Sequence, residues 1–327
     1  MSSARATAPV FVVGSPRSGT TLLYHMLLST GDFVNYRTET HVFNSLAPYA
    51  GDLRQRRNRE RLLDLWLGGV MLRLSGLDAA EVRDRVDDFH DAGSFLRLVM
   101  EMMADRQGVP RWAESTPAHL LHLEQIGRSL PDARFLHVIR DGRDVALSLE
   151  KQGWIRPLPG DRRRAAFAAA AAWEWMVLEG ARQGARLGPA YRVVRYEDLV
   201  ERPEATLEDV GVFIGHDLPY DRILAGAVGS VARPNTSFPQ AEGGFVGRWR
   251  RSLEPAEARA LEGALARGLD RYGYPHEAPA AGSRAWTRLY HGYYGLRQWT
   301  KRRTPLGRRL ADASLFAADV PDAYAGD

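Results

Sequence analysis

An arginine, two glycines and a pair of threonines stand together near the start of this chain, in the run Val10-Phe11-Val12-Val13-Gly14-Ser15-Pro16-Arg17-Ser18-Gly19-Thr20-Thr21. Residues of these types at this spacing suit the capture of a phosphate-like anion. Four apolar residues read as a buried parallel strand, because both faces of such a strand meet apolar partners. Thr20 to Leu28 reads as a helix with apolar neighbours on one face. A tight loop between them aims its N–H groups, together with the positive end of the helix dipole, at one point above the sheet. A second cluster begins at Arg140, where the apolar run Arg134-Phe135-Leu136-His137-Val138-Ile139 passes into Arg140-Asp141-Gly142-Arg143-Asp144-Val145-Ala146-Leu147-Ser148. Asp141-Gly142 signals a turn, so Arg140 falls at the C-terminal end of a parallel strand, where open α/β sheets place ligands. Ser148 lies on the helix that follows, and an arginine with a hydroxyl suits a second phosphate. Arg143 reads better as a surface salt-bridge partner of Asp141 and Asp144.

The spacing of Gly14 and Gly19 resembles the ATP-binding loop G-x-x-x-x-G-K-[ST]. Thr20 stands where that loop carries lysine, and the cation has moved into the loop as Arg17. A triphosphate with Mg²⁺ requires the lysine and usually a carboxylate after a neighbouring strand. A sulfuryl donor requires less, since its terminal group carries one negative charge. An arginine at the bridging oxygen could neutralise the leaving phosphate without metal. No set of histidines and carboxylates has convincing metal spacing.

Pro16 to Thr21 and Arg140 to Ser148 together resemble the two donor-binding signatures of sulfotransferases that use 3′-phosphoadenosine-5′-phosphosulfate (PAPS). The Pro-Arg-Ser-Gly-Thr-Thr form of the first loop is similar to the bacterial and tyrosylprotein branch. The resemblance covers about residues 9 to 275. It implies an α/β, P-loop-like three-layer fold with a central parallel sheet flanked by helices, PAPS as donor with PAP as product, and no metal. It implies that Gly14, Pro16, Arg17, Ser18, Gly19, Thr20 and Thr21 hold the phosphosulfate, and that Arg140 and Ser148 hold the 3′-phosphate. Arg195-Tyr196-Glu197-Asp198-Leu199 resembles a strand end of the family whose tyrosine lies near the nucleotide; Tyr196 could equally be a core residue with its hydroxyl satisfied. Gly244-Phe245-Val246-Gly247-Arg248-Trp249 resembles the late segment that closes over the 3′-phosphate, assigning Gly247 and Arg248 to it with Ser237 assisting.

In-line attack by an acceptor hydroxyl is faster when a base accepts its proton. Arg37-Thr38-Glu39-Thr40-His41 resembles the Glu-Thr pair that supplies the catalytic glutamate of the tyrosylprotein branch. Glu39 is therefore the expected base. His41 is the runner-up, since its ordinary pKa lies near neutrality, and Glu39 could instead merely pair with Arg37. Trp112-Ala113-Glu114-Ser115-Thr116-Pro117 has the form of the family's Lys-Thr-Pro strand end, with Ser115 at the lysine position. A hydroxyl cannot offset the charge of the transferring group, so Arg17 carries more of that task or another basic residue reaches in. His119 and His122 read as acceptor-cleft or surface residues.

The 327 residues, 45% hydrophobic and 26% charged, suit one large globular domain, and the absence of cysteine rules out disulfide and thiolate chemistry. Lys151 and Lys301 are the only lysines, so the net charge of +4 is nearly all arginine, read as the codon bias of a GC-rich bacterium. It supports an anionic donor and no nucleic-acid binding. No apolar run approaches the ~20 residues of a membrane span, and the first strand begins within ten residues of Met1, which points to the cytoplasm.

Strands are expected near 9–13, 111–114, 134–139 and 191–195, with helices near 19–29, 58–75, 80–106, 117–129, 143–151, 161–186, 203–214 and 255–271. Residues 1–8 read as a flexible start, 9–276 as the catalytic domain with 52–106 as a helical acceptor cap, and 277–327 as a linker with a basic and aromatic extension. That extension could pack on its own or a neighbouring subunit as a homodimer contact, lie on an anionic membrane surface, or cover an aromatic acceptor. The expected reaction is sulfuryl transfer from PAPS to a hydroxyl of a small molecule, glycan or lipid-linked acceptor. The alternatives are a kinase using ATP and a catalytically silent relative that only binds.

Overall fold

Val10 to Val13 are apolar at every position because both faces of their strand are covered. The computed structural model describes residues 7–229, 231, 246–277 and 283–304. It contains a four-stranded sheet of β1 (Val10–Gly14), β2 (Ala113–Glu114), β3 (Arg134–Ile139) and β4 (Tyr191–Arg195), in the order β2-β1-β3-β4 with every pairing parallel. Phe11 and Val13 face one side, where the Phe11 ring stacks on Phe135 with centroids 5.5 Å apart. Val10 and Val12 face the other side with Leu136, Val138 and Val194. Helices therefore close both faces, as parallel sheets require.

The first face is covered by α2 (Arg56–Leu67), α3 (Val70–Ser75), α4 (Ala79–Asp84) and α5 (Ala92–Gln107). α2 and α3 replace the single helix expected over 58–75, because Gly69 takes an extended conformation between them. α4 and α5 replace the one expected over 80–106, because Asp91 and Ser94 form a capping box that starts a new helix. The segment expected as a helix over 117–129 opens as a 3₁₀ turn, Pro117–His122, and becomes α6 only at Leu123–Ser129. The strand expected over 111–114 shortens to two residues, Arg111 making an isolated bridge to Phe33.

The second face carries α1 (Thr20–Ser29), α10 (Pro203–Ile214) and α11 (Tyr220–Gly226). A third core joins α7 (Gly142–Gln152), α8 (Ala165–Leu187), α12 (Pro255–Tyr272) and α13 (Ser283–Arg303). The short α9 (Tyr196–Glu201) follows β4 directly.

The C-terminal extension thus packs on its own chain. Tyr290 of α13 is fully buried, and its hydroxyl donates to Asp161 at 2.7 Å. Leu289, Tyr293, Leu296 and Trp299 remain exposed on the outer face of that helix.

Trp173 explains one glycine of the second motif. Its indole is fully buried between α7 and α12; a Cβ on Gly142 would lie 2.6 Å from the ring, and one on Gly268 2.5 Å. Real side chains do not tolerate such approaches, so α7 can start beside β3 only with glycine at 142. Gly142→Ala should destabilise the protein by about 1–3 kcal/mol through overpacking. This would be read as a lower denaturant midpoint at unchanged m-value, with partial recovery when Trp173→Leu makes room.

Candidate functional site

The loop between β1 and α1 is built from backbone that has few side chains to lean on. Gly19 caps α1 in the left-handed region (φ 96°) with no side-chain cap, leaving the first N–H groups of the helix directed at the loop. A Cβ there would strike the Tyr196 ring at 2.3 Å. Gly14 is held by the Val138 carbonyl, which a Cβ would approach to 2.7 Å. Arg17 is left-handed (φ 71°), a conformation costing a non-glycine residue about 1–3 kcal/mol. The hydroxyls of Ser15 and Ser18 are buried within the loop and have no hydrogen-bond partner among the described residues. Orphaned donors beside an uncapped helix start fit an anionic group such as the phosphosulfate of PAPS.

Parallel pairing sets Gly14 opposite Val138, so the loops after β1 and β3 leave the sheet side by side. Arg140 donates to the Arg17 carbonyl at 3.3 Å, and its guanidinium lies 4.5 Å from the centroid of the Tyr196 ring. The Arg17 Nε donates to the Ser148 hydroxyl at 3.0 Å. Ser148, expected beside Arg140, thus accepts from Arg17. Tyr196 is buried, with its ring against Gly19 of the loop and under Arg140.

Arg248 belongs to the same cluster. Burial and the charges of Arg140 and Arg17 hold its guanidinium below the usual arginine range, against an opposing pull from Asp144. Asp144 anchors the segment by accepting the N–H groups of Gly247 and Trp249, each at 2.9 Å, and lies 3.6 Å from Arg140. Ser237 lies outside the described residues. Arg143 is not at the surface as expected. It is buried, paired with Asp141 at 2.8 Å and Glu262 at 2.6 Å, and lies 3.8 Å over the Trp249 ring. The sequence could not show this, because Glu262 and Trp249 come from distant segments.

On the other side of the loop, Thr20, Thr21, Arg37, Glu39 and Ser115 line one narrow crevice. Glu39 is half-buried and forms its ion pair with His41 at 3.3 Å. Burial first, and then the charge of Glu114, push the Glu39 carboxyl up to about 7. Glu114 is buried and accepts from Thr40 at 2.9 Å and from Thr116. His119 Nδ1 lies 2.9 Å from Glu114, while its Nε2 accepts the Phe43 N–H at 3.3 Å. That acceptor role assigns the ring proton to Nδ1, donating to the carboxylate. Burial alone would raise Glu114, but His119 and the threonine hydroxyls bring it below the usual carboxylate range. His119 is thus a core residue, not a cleft or surface one. His122 is buried too, with Nε2 3.3 Å from Gln298. Among the described residues no cluster of three or more His, Asp or Glu is arranged to hold a metal ion, and no helix is long and apolar enough to cross a membrane.

A sequence model of the Sulfotransferase family matches residues 9–221, more than half of the chain. The chain belongs to the sulfotransferase family. Solved structures of similar fold include a sulfotransferase domain from the curacin biosynthetic pathway, at 18% identity, covering 83% of this chain and 99% of that one with a TM-score of 0.57. Another is the sulfotransferase domain of the olefin synthase of Synechococcus PCC 7002, at 19% identity, covering 83% and 96% with a TM-score of 0.55. At these identities the likeness concerns the fold. No curated protein matches the chain.

Within this sulfotransferase several site residues had no clear signal in the sequence. Trp154 sets its ring centroid 5.9 Å from the Arg17 guanidinium; a lone tryptophan after the helix-ending Gly153 carries no spacing that marks it. Arg37 reads as a partner of Glu39 in the sequence, yet it lines the crevice with Ser115. Glu114 forms a pattern only in hindsight, through Thr116 and His119 at fixed offsets beyond it. Glu114→Gln should cost about 1–3 kcal/mol, because an amide that keeps its oxygen on the His119 N–H turns its NH2 toward the Thr40 and Thr116 hydroxyls, which had donated there, and the flipped amide meets the His119 N–H donor to donor. Denaturant titration checks the loss, and Thr40→Val should cost less.

Proposed function

We propose that this sulfotransferase moves the sulfuryl group of PAPS to an acceptor hydroxyl, on a small molecule, glycan or lipid-linked metabolite, and releases PAP. When bound, PAPS supplies a sulfur whose bond to the bridging oxygen breaks as the acceptor oxygen bonds to it. The observation that carries this reading is the meeting of the two motif loops, where Arg140 donates to the Arg17 carbonyl at 3.3 Å and the Arg17 Nε donates to the Ser148 hydroxyl at 3.0 Å, with Arg248 near enough to feel the charge of both arginines. Such crowding of like charge is stabilised by a polyanion with two phosphate ends.

The loop N–H groups from Gly14 to Thr21 and the Ser15 and Ser18 hydroxyls would hold the phosphosulfate. Arg17 stabilises charge at the bridging oxygen, the electrostatic role that is usually largest in group transfer. Arg140, Ser148, Gly247 and Arg248 would hold the 3′-phosphate, with Tyr196 beneath Arg140. Glu39 takes the acceptor proton, and His41 holds its carboxylate in place. Arg37, in the crevice with Ser115, supplies the positive charge that a serine lacks. Thr20 in place of lysine argues against ATP as donor. A cytoplasmic setting, where PAPS is made, fits this reading.

Calorimetric titration tests it. The protein should bind 3′,5′-ADP without metal more tightly than ATP with Mg²⁺; the reverse preference would favour a kinase. Arg140→Ala should weaken 3′,5′-ADP by roughly tenfold or more, the value of a charged hydrogen bond. Arg17→Ala should keep most of that affinity and lower turnover about 10²–10³-fold.

Glu39 must be ionised to accept a proton, so kcat/KM should rise with pH through about 7 and level off above it. Glu39→Gln should abolish that inflection and lower kcat about 10²–10⁴-fold. The same shift affects stability. A carboxyl raised in the folded state stabilises below its unfolded pKa, and that contribution is lost as pH rises through 7. Glu39→Gln should therefore melt higher than wild type at pH 8, with the difference vanishing near pH 4.

A further inference from the structure

Glu39 stands in a stretch, residues 34–41, that belongs to no helix or strand. A base in such a stretch needs an attachment, and Thr116, fully buried just beyond β2, supplies one. Its hydroxyl accepts the Thr40 N–H at 3.0 Å and the His41 N–H at 3.4 Å, and donates its own proton to Glu114. Both lone pairs and the proton are then in use. The Thr40 hydroxyl donates to the same carboxylate oxygen at 2.9 Å. Successive N–H groups converge on one acceptor where the backbone turns, and His41 is left-handed there (φ 48°). Glu114 lies in register with Phe11 of β1, so this attachment is fixed relative to the strand that leads into the Arg17 loop. Ser115 and Pro117 line the crevice that holds Glu39, whereas the Thr116 hydroxyl is turned to Glu114.

We infer that Thr116 is a positioning residue for the acceptor base, its hydroxyl fixing the Thr40 and His41 backbone so that the Glu39 carboxylate is held in the crevice. The inference rests on the sulfuryl-transfer reading with Glu39 as base. Proton transfer requires heavy atoms within about 2.6–3.2 Å of each other, and a misplacement of 1 Å can cost about 10²-fold in rate. His41 touches the carboxylate directly at 3.3 Å, yet its own N–H is tied to Thr116, so that ion pair depends on the same hydroxyl. Valine at 116 would fill the same space and leave both N–H groups without their acceptor, whereas serine would keep it. Thr116 therefore acts through Glu39 and not on the acceptor.

The test follows the Glu39 carboxyl itself, by ¹³C NMR of the full chain labelled at its glutamate carboxyls, with the signal assigned by its loss in Glu39→Gln. In the wild type it should titrate near 7. The groups around it are His41, Glu114, Arg37 and, from α1, Tyr24 and His25, and none of them is altered in the test variants. Thr116→Val should lower the inflection by roughly one pH unit or more, because the released segment carries the carboxyl into water and away from Glu114. Thr116→Ser should restore it. Thr40→Val removes a donor to the same Glu114 oxygen but leaves both N–H contacts, and should move the inflection less. If circular dichroism shows Thr116→Val unfolded, Thr116→Cys, a weak acceptor of similar size, takes its place. With ³⁵S-labelled PAPS and 2-naphthol as acceptor, kcat should fall about 10–10²-fold in the same variant at an unchanged KM for PAPS. An inflection that stays in place, or one moved as far by Thr40→Val, would overturn the inference. Glu39→Gln as active as the wild type would instead sink the reading of Glu39 as base, and the titration would still decide the placement.

Discussion

The close approach of β1 to β3 is the constraint on which the site depends. With Gly14 packed against the Val138 carbonyl, two loops from remote parts of the chain leave one edge of the sheet as neighbours. The Arg17 carbonyl then meets Arg140, and the Arg17 side chain meets Ser148, 131 residues later. Any side chain at 14 would separate the strands and with them the two motifs. The left-handed Arg17 backbone follows from the same geometry, since it turns that carbonyl toward Arg140 while the side chain reaches α7.

Electrostatics divides the region into two halves of opposite demand. On one half, guanidinium groups crowd together with Asp144 as a nearby carboxylate, and Asp144 is largely taken up in anchoring the Gly247–Trp249 backbone. On the other half, two carboxylates lie close enough for Glu114 to raise Glu39. Glu114 remains ionised because His119, Thr40 and Thr116 saturate it; that fixed charge, added to burial, raises Glu39 toward neutrality. A carboxyl raised in this way titrates near neutrality. His41, itself held left-handed by the turn into the Val42–Leu46 π-helical segment, keeps the Glu39 carboxylate oriented.

The C-terminal helix ties the periphery to this centre. Tyr290 anchors it through Asp161 and the Leu158 N–H, and Tyr294 stacks toward Trp175. One face of the helix is thereby committed to the third core, while Leu289, Tyr293, Leu296 and Trp299 stay exposed.

Local order was legible in the residues themselves. The strand, loop and helix around Arg17, the strand end at Arg140, the long helix near 161–186 and the alternation of strands with helices follow from apolar runs, turn residues and spacing, which act over a few residues, while the three-layer fold class came through the resemblance of the two motifs. Helix boundaries were less legible at Gly69 and Asp91, where a single backbone conformation or a capping box broke a continuous apolar pattern. What only the tertiary structure decided was pairing: that Ser148 bonds Arg17, that Arg143 is buried against Glu262 and Trp249, that His119 serves Glu114, and that Arg37 faces Ser115's crevice. Each of these joins segments that no periodicity relates. Their contacts are set by strand register and by the angle at which helices cross the sheet, and neither quantity is carried by any one stretch of chain.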